Sequence, residues 1–313
     1  MDENINKNKE EQPEVKEASK RSKAANILQI CLLTVFSGIF LVCAVYLAIN
    51  FAGKMEGGKL YESIAEEYSV FDPSAESVKK LYTPDALPKQ SASMQTLEGR
   101  KTSGTTDSET ASSSAASDRL MEIRASLESL RETNPDTYGW ISVSGTDINY
   151  PIAQGTDNEF YLTHSMTKSY LAIGTIFADY NCKDTVTDNF NTVFYGHNVV
   201  STRFASSMFH DVTKFLDEEF FNNTFIYIYT FDGIYVYKPF SIYSTTSDNF
   251  YFTTDFSSEE NFLDFAADVK ALSRLHSDVE IGEGDTIITL STCTNGPKNQ
   301  RYALHAVLVD SIT

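Results

Sequence analysis

Of the four cysteines in the chain, Cys293 closes the run Ile287-Ile288-Thr289-Leu290-Ser291-Thr292. An apolar run of that length reads as a buried β-strand. Gly296-Pro297 just beyond it marks an exposed loop, which places the thiol at a rim. A rim thiol beside a cation has the access and the thiolate stabilisation that a nucleophile needs. The cation is Arg301, which precedes the apolar run Tyr302–Val309. If the two runs pair across the short loop 294–300, the guanidinium comes near the thiol and can donate to a developing oxyanion. The third group is His197, in Tyr195-Gly196-His197-Asn198. A glycine before it lets the backbone turn, and an imidazole leaving a strand end is placed to work as an acid and a base. His164 and His210 sit among loop or helix residues, His276 follows a helix, and His305 lies within the last strand. Each group taken singly is more often a packing or surface residue. A thiol, an imidazole and a guanidinium on three strand ends together point to cysteine acyl transfer. Asp179 and Asp188 are the carboxylates considered for orienting His197.

Something must hold three strand ends together, and the pattern after Pro135 supplies strands. Short β-branched and aromatic runs occupy 139–143, 148–153, 173–178, 192–195, 225–230, 234–243, 286–291 and 302–309. Turn residues separate them, and Asp232-Gly233 joins two as a hairpin. Helices are expected over 119–132, where Leu120, Ile123, Leu127 and Leu130 share a face, over 206–216, and over 259–275 behind a Ser257/Ser258 cap. The fold class is therefore mainly β with appended helices, built as a closed or nearly closed barrel.

The remainder of the chain reads as delivery. Residues 1–23 are polar and end in a basic cluster, as in a disordered cytoplasmic tail. No charge occurs from Ala24 to Gly53. As a helix, the 25 residues from Ile27 to Phe51 rise about 37 Å, enough for a hydrocarbon core of about 30 Å. That is too long for a signal-peptide core, so 24–53 is expected to be a retained transmembrane anchor, with the N-terminus in the cytoplasm. Residues 54–118 are expected to be an extracellular stalk and a flexible Ser/Thr-rich linker with a coil span of roughly 45 Å, and 119–313 a catalytic domain. Net charge is −18, and 119–313 carries 12 basic against 26 acidic residues. Such a surface excludes nucleic acid, whose phosphates need a basic face. No Cys-x-x-Cys pair suggests a metal. Cys31 and Cys43 lie in the apolar segment, so a disulfide within the main domain would have to join Cys182 to Cys293 and would silence the thiol.

Tyr-Gly-His-Asn, then Thr-Leu-Ser-Thr-Cys, then Arg-Tyr-Ala-Leu-His-Ala-Val-Leu resembles a sortase, and most closely class B, as does Glu159-Phe160-Tyr161-Leu162. The resemblance covers about 119–313. It implies an eight-stranded sortase-type β-barrel and a cysteine transpeptidase, with His197, Cys293 and Arg301 in the catalytic positions. It also implies Ser291, Thr292 and Asn198 as substrate-binding residues, and no metal or cofactor. The short loop between Cys293 and Arg301 lacks the acidic residue that some relatives carry after the cysteine. The implied partners are secreted proteins with a C-terminal sorting motif, NPQTN-like or (S/P)PxTG-like, and a peptidoglycan amine. A pilin-polymerising sortase, a tethered cysteine peptidase and a non-catalytic surface-binding module stand as alternatives.

Overall fold

The computed structural model describes residues 13–71, 106–200, 207–247, 250–294, 296 and 299–313; in the first helix side chains are described from residue 26 apart from 50, and in the second from 117. Residues 1–12 of the expected tail and 72–105 of the expected linker lie outside the described residues. By internal packing the chain forms two units, Met1–Ala52 and Gly53–Thr313.

The described residues of the first unit, 13–52, are helical and belong to helix α1 (Pro13–Glu67). From Ile27 to Phe51 its large apolar side chains are 49–76 % exposed, and an 18-residue window reaches a mean hydropathy of 2.6. This helix is long and apolar enough to cross a membrane.

The second unit is built on a closed barrel of β1 (Thr137–Val143), β2 (Asn149–Ala153), β3 (Ile176–Ala178), β4 (Asn191–Tyr195), β7 (Ile226–Tyr229), β8 (Ile234–Thr246), β9 (Ile287–Cys293) and β10 (Gln300–Ile312). Around the barrel the order is β1-β2-β3-β4-β9-β10-β8-β7. Two pairs are parallel, β2 with β3 and β4 with β9; the others are antiparallel. A two-stranded ribbon of β5 (Asn198–Val199) and β6 (Ser207–Met208) stands beside it. Closure leaves no exposed sheet edge among the eight strands, which protects their backbone groups. A parallel pair cannot be joined by a tight turn. The β2–β3 connection therefore runs out over 154–175; β8 and β9, which flank β10 on opposite sides, are joined by a long segment over 247–286.

Strand alternation sorts side chains into two cores. Ile288 and Leu290 of β9 share the barrel interior with Ile141, Phe194 and Ile242. Ile287 joins a second cluster outside the barrel, where Phe240, Ala303 and Val307 meet Tyr251, Phe262 and Phe265 from the 247–286 segment. The helix in that segment, Glu259–Ala271, is capped by the Ser258 hydroxyl, which accepts from the Asn261 N–H. Strands β8, β9 and β10 are thus covered on both faces. The expected helix over 206–216 is instead the short strand β6 followed by a 3₁₀ run, Phe209–Leu216. Met208 sits at φ 58° between them, which interrupts regular geometry there.

The segment expected to be a stalk contributes to the core. Within Gly53–Glu67 and just beyond it the covered positions are 57, 60, 61, 64 and 68 at helical spacing, and a Cβ on Gly57 would lie 2.5 Å from Ile173. Just after the helix, Phe71 stacks on Trp140 at 4.6 Å and meets Tyr229 edge-on at 5.3 Å. Phe71→Ala should therefore cost about 3–5 kcal/mol of stability, read by denaturant unfolding of the detergent-solubilised chain. A loss below about 1 kcal/mol would show that the aromatic stack lends little.

Candidate active site

Antiparallel pairing sets Cys293 directly opposite Arg301, one strand over; opposed Cα atoms in such a ladder lie about 4.5–5.5 Å apart. On the other side of β9, parallel β4 runs level with it, Tyr195 beside Ser291. Two residues past that rung lie His197, just beyond the end of β4, and Cys293, the last residue of β9. The fold thus brings the three sequence-selected residues to one rim. All three are half-buried, which leaves them reachable. Both Cys293 and Cys182 are free thiols. Cys182 is buried, and burial pushes its thiol up to about 12, so it stays protonated and inert.

Gly196 serves closeness rather than an unusual turn. It is not among the glycines of positive φ, but a Cβ there would lie 2.4 Å from Ile176 and 2.7 Å from Phe209. His197 Nε2 lies 2.8 Å from the Leu162 carbonyl oxygen; since a carbonyl only accepts, Nε2 carries the proton. Leu162 ends a 3₁₀ turn, Phe160–Leu162, in the β2–β3 connection. Gly174, at φ +61°, lets the chain pass there, because a Cβ would lie 2.3 Å from the Tyr161 carbonyl and 2.7 Å from that of Leu162.

Neither carboxylate considered for His197 is its partner among the described hydrogen bonds. Asp179 accepts from the Tyr195 hydroxyl and Asn158 Nδ2, both at 2.8 Å, and from the backbone and side-chain amides of Asn181. It ties β3, β4 and the Asn158 loop together. Burial, with the Asp179 charge adding to it, pushes the Tyr195 hydroxyl far above its usual range. Asp188 ends a separate 3₁₀ turn, Val186–Asp188.

Of the remaining sequence candidates, Ser291 shares the outer face of β9 with Cys293, and its hydroxyl is 3.0 Å from that of Tyr251. Burial raises the Tyr251 pKa; the Ser291 hydrogen bond and the Arg301 charge oppose this and the Cys293 thiol adds to it. Tyr251 therefore lies within electrostatic reach of both groups. Thr292 is not brought to the groove. It is 2 % exposed and shares the inner face with Ile288 and Leu290, which corrects its assignment as a substrate contact. Asn198 is turned inward: its Nδ2 donates to the Cys293 carbonyl at 2.8 Å. Sequence reasoning missed Tyr251 and Leu162 as parts of the site. Tyr251 lies 42 residues from Cys293 with no spacing that links them, and Leu162 acts through its backbone, which no side-chain pattern reports.

A buried polar chain supports this floor. Asn191 Nδ2 donates to the Thr253 carbonyl at 2.8 Å and its Oδ1 accepts from Thr289 Oγ1 at 2.8 Å. The Thr289 oxygen is left to accept from His305 Nδ1 at 2.9 Å, and His305 Nε2 to accept from the Tyr243 hydroxyl at 3.2 Å. His305 is therefore neutral, and burial lowers its pKa from 6.5 to about 3. The unfolded chain binds a proton near pH 6.5 that the folded chain refuses down to about 3. Stability from this residue is thus full above 6.5 and lost as pH falls through that window, by about 2 kcal/mol between pH 7 and 5. A His305→Gln variant should lose correspondingly less over that interval in denaturant melts. Equal slopes for both proteins would sink the assignment.

Among the described residues no group of three or more His, Cys, Asp or Glu is gathered as a metal site. The sortase domain model matches residues 141–309. The chain is 38% identical over 174 residues to Sortase B of Listeria monocytogenes and 36% identical over the same length to Sortase B of Staphylococcus aureus; each match covers 55% of this chain and 68% of the relative. Among solved structures, sortase B of Clostridium perfringens superposes with a TM-score of 0.54 at 32% identity, covering 58% of this chain and 99% of that one. A Staphylococcus aureus sortase B–substrate complex gives 0.56 at 32% identity, covering 63% and 91%. A sortase B complexed with triglycine gives 0.55 at 32% identity, covering 60% and 87%.

Proposed function

The chain belongs to the sortase family, in class B, and is a cysteine transpeptidase; from that premise we propose that Cys293, His197 and Arg301 are its catalytic residues and that it attaches secreted proteins to the cell wall. The observation that carries this reading is the register that sets Cys293 opposite Arg301, with His197 two residues past the end of the adjoining parallel strand.

The Cys293 thiol passes its proton to His197 Nδ1, and the thiolate so formed attacks the carbonyl carbon of the threonine in a C-terminal sorting motif, forming a C–S bond. Arg301 donates to the oxygen as it takes up negative charge. As the tetrahedral species collapses, the peptide C–N bond breaks and His197 gives its proton to the leaving amine. A primary amine from peptidoglycan then attacks the thioester and loses its proton to His197. An amide forms, the C–S bond breaks and the thiolate returns. Ser291, on the same face of β9 as Cys293, and the Tyr251 hydroxyl bonded to it form the buried floor beneath the substrate groove, and nothing in this cycle calls on a metal or cofactor. The apolar helix anchors the enzyme in the cell membrane with its N-terminus cytoplasmic and the barrel outside, where exported substrates and wall amines meet. The match to a sortase B bound to triglycine supports a small primary amine as acceptor.

The test is a library of peptides varied around NPQTN-like and (S/P)PxTG-like cores, incubated with the enzyme with and without triglycine and read by mass spectrometry. A threonyl–triglycine product is expected. A product that is always the free threonine acid would make the protein a peptidase.

A further inference from the structure

The parallel ladder between β4 and β9 ends one rung too early for the nucleophile. Its last backbone bond runs from the Gly196 N–H to the Ser291 carbonyl at 3.1 Å. Continued in register, the next such bond would run from the Asn198 N–H to the Cys293 carbonyl. The Asn198 backbone has instead left the barrel to pair with Met208 in the β5–β6 ribbon, and the Phe209 N–H donates to the His197 carbonyl at 2.9 Å. The Asn198 side chain makes the missing rung, Nδ2 donating to the Cys293 carbonyl at 2.8 Å.

That assignment fixes the amide. Cys293 O only accepts, so Nδ2 faces it and Oδ1 faces His210, whose Nδ1 lies 2.7 Å away. His210 must then hold its proton on Nδ1 and donate it. Resting on the acyl-transfer reading above, we infer that Asn198 and His210 are positioning residues: His210 fixes the Asn198 amide, which clamps the Cys293 backbone to the strand end that carries His197. Asparagine suits the post because its side chain is an amide, able to replace one peptide unit with both its donor and its acceptor. The gain is geometric. The chain at His197 is released from the ladder so that the imidazole can project, while the spacing to Cys293 stays set. Displacing reacting groups by about 1 Å can cost on the order of 100-fold in rate.

The experiment uses the full-length enzyme in detergent, the best peptide of the library with triglycine, and iodoacetamide alkylation read at Cys293 by peptide mass spectrometry. His210→Phe should lower kcat roughly tenfold with KM within about twofold and should change the Cys293 alkylation rate. His210→Asn, which keeps an N–H near the Nδ1 position, should recover most of the rate. Asn198→Asp, isosteric but with no donor toward Cys293, should match His210→Phe. Adding His210→Phe to Asn198→Asp should cost little more than either alone, since both break one clamp. If His210→Phe unfolds, the Asn198→Asp and His210→Asn results decide. Unchanged kcat in Asn198→Asp or His210→Phe, no recovery in His210→Asn, or losses that multiply would overturn the inference. A wild-type enzyme that cleaves no peptide would instead refute the acyl-transfer reading, and the alkylation rates would still decide the clamp.

Discussion

Cys293→Ala is expected to lower kcat/KM for sorting-peptide cleavage by on the order of 10⁴-fold or more, leaving peptide affinity nearly unchanged. The thiol supplies the bond-making atom, and no second thiol can stand in: Cys182 is buried and protonated, and Cys31 and Cys43 lie in the apolar helix. His197→Ala should fall nearly as far, and the double variant little further, because a nucleophile and its proton partner fail as one unit. Truncating Cys293 to alanine removes one half-buried sulfur from a strand end, so melting should barely move. The measurement is initial rate against peptide concentration, with product identified by mass spectrometry. Full cleavage by Cys293→Ala would refute the mechanism, and a wild-type thiol unreactive to iodoacetamide at neutral pH would favour a binding module.

Arg301→Lys should lower kcat by about 10²–10³-fold, with a smaller effect on KM. The substitution keeps the charge, so a loss of that size isolates what the guanidinium alone provides: a planar fork of donors held in fixed geometry. Lysine at the same station is a flexible point charge, unable to aim two N–H groups at one oxygen. Arg301 also donates from Nη1 to the Gln300 carbonyl at 3.2 Å, so one arm of the fork is tied to its own strand. Because the residue is half-buried at a strand end, the variant should melt close to the wild type. A kcat within about threefold of the wild type would mean that charge alone serves at this position.

The barrel was legible in the sequence because its strands alternate or run continuously apolar between turn residues, and all eight expected runs became barrel strands. The helix expected over 259–275 was legible from its Phe262, Phe265 and Val269 stripe and its serine cap, but it ends at Ala271, and Leu272, expected on the same stripe, is exposed. The 206–216 segment misled because a 3₁₀ run buries Phe209, Val212 and Phe215 at nearly helical spacing. The 53–71 segment misled in the other direction. Its stripe of Tyr61, Ile64 and Tyr68 is short, and its partners, Ile173 and Trp140, lie far along the chain.

By itself the sequence determined which groups are available for chemistry and that they sit at strand ends, since thiol, imidazole and guanidinium each follow or precede an apolar run. It also determined the long uncharged helix ahead of them, because composition and length alone decide whether a helix can cross a bilayer. Only the tertiary structure decided that these ends share one rim. Closure of the barrel sets β4 (ending at Tyr195) parallel to β9 (starting at Ile287), and no local pattern encodes a pairing across that distance. It also decided what holds them there: the Leu162 carbonyl on His197, the Asn198 amide on Cys293, and Tyr251 on Ser291. Those contacts run through backbone atoms or between distant segments, so they exist only once the chain has folded.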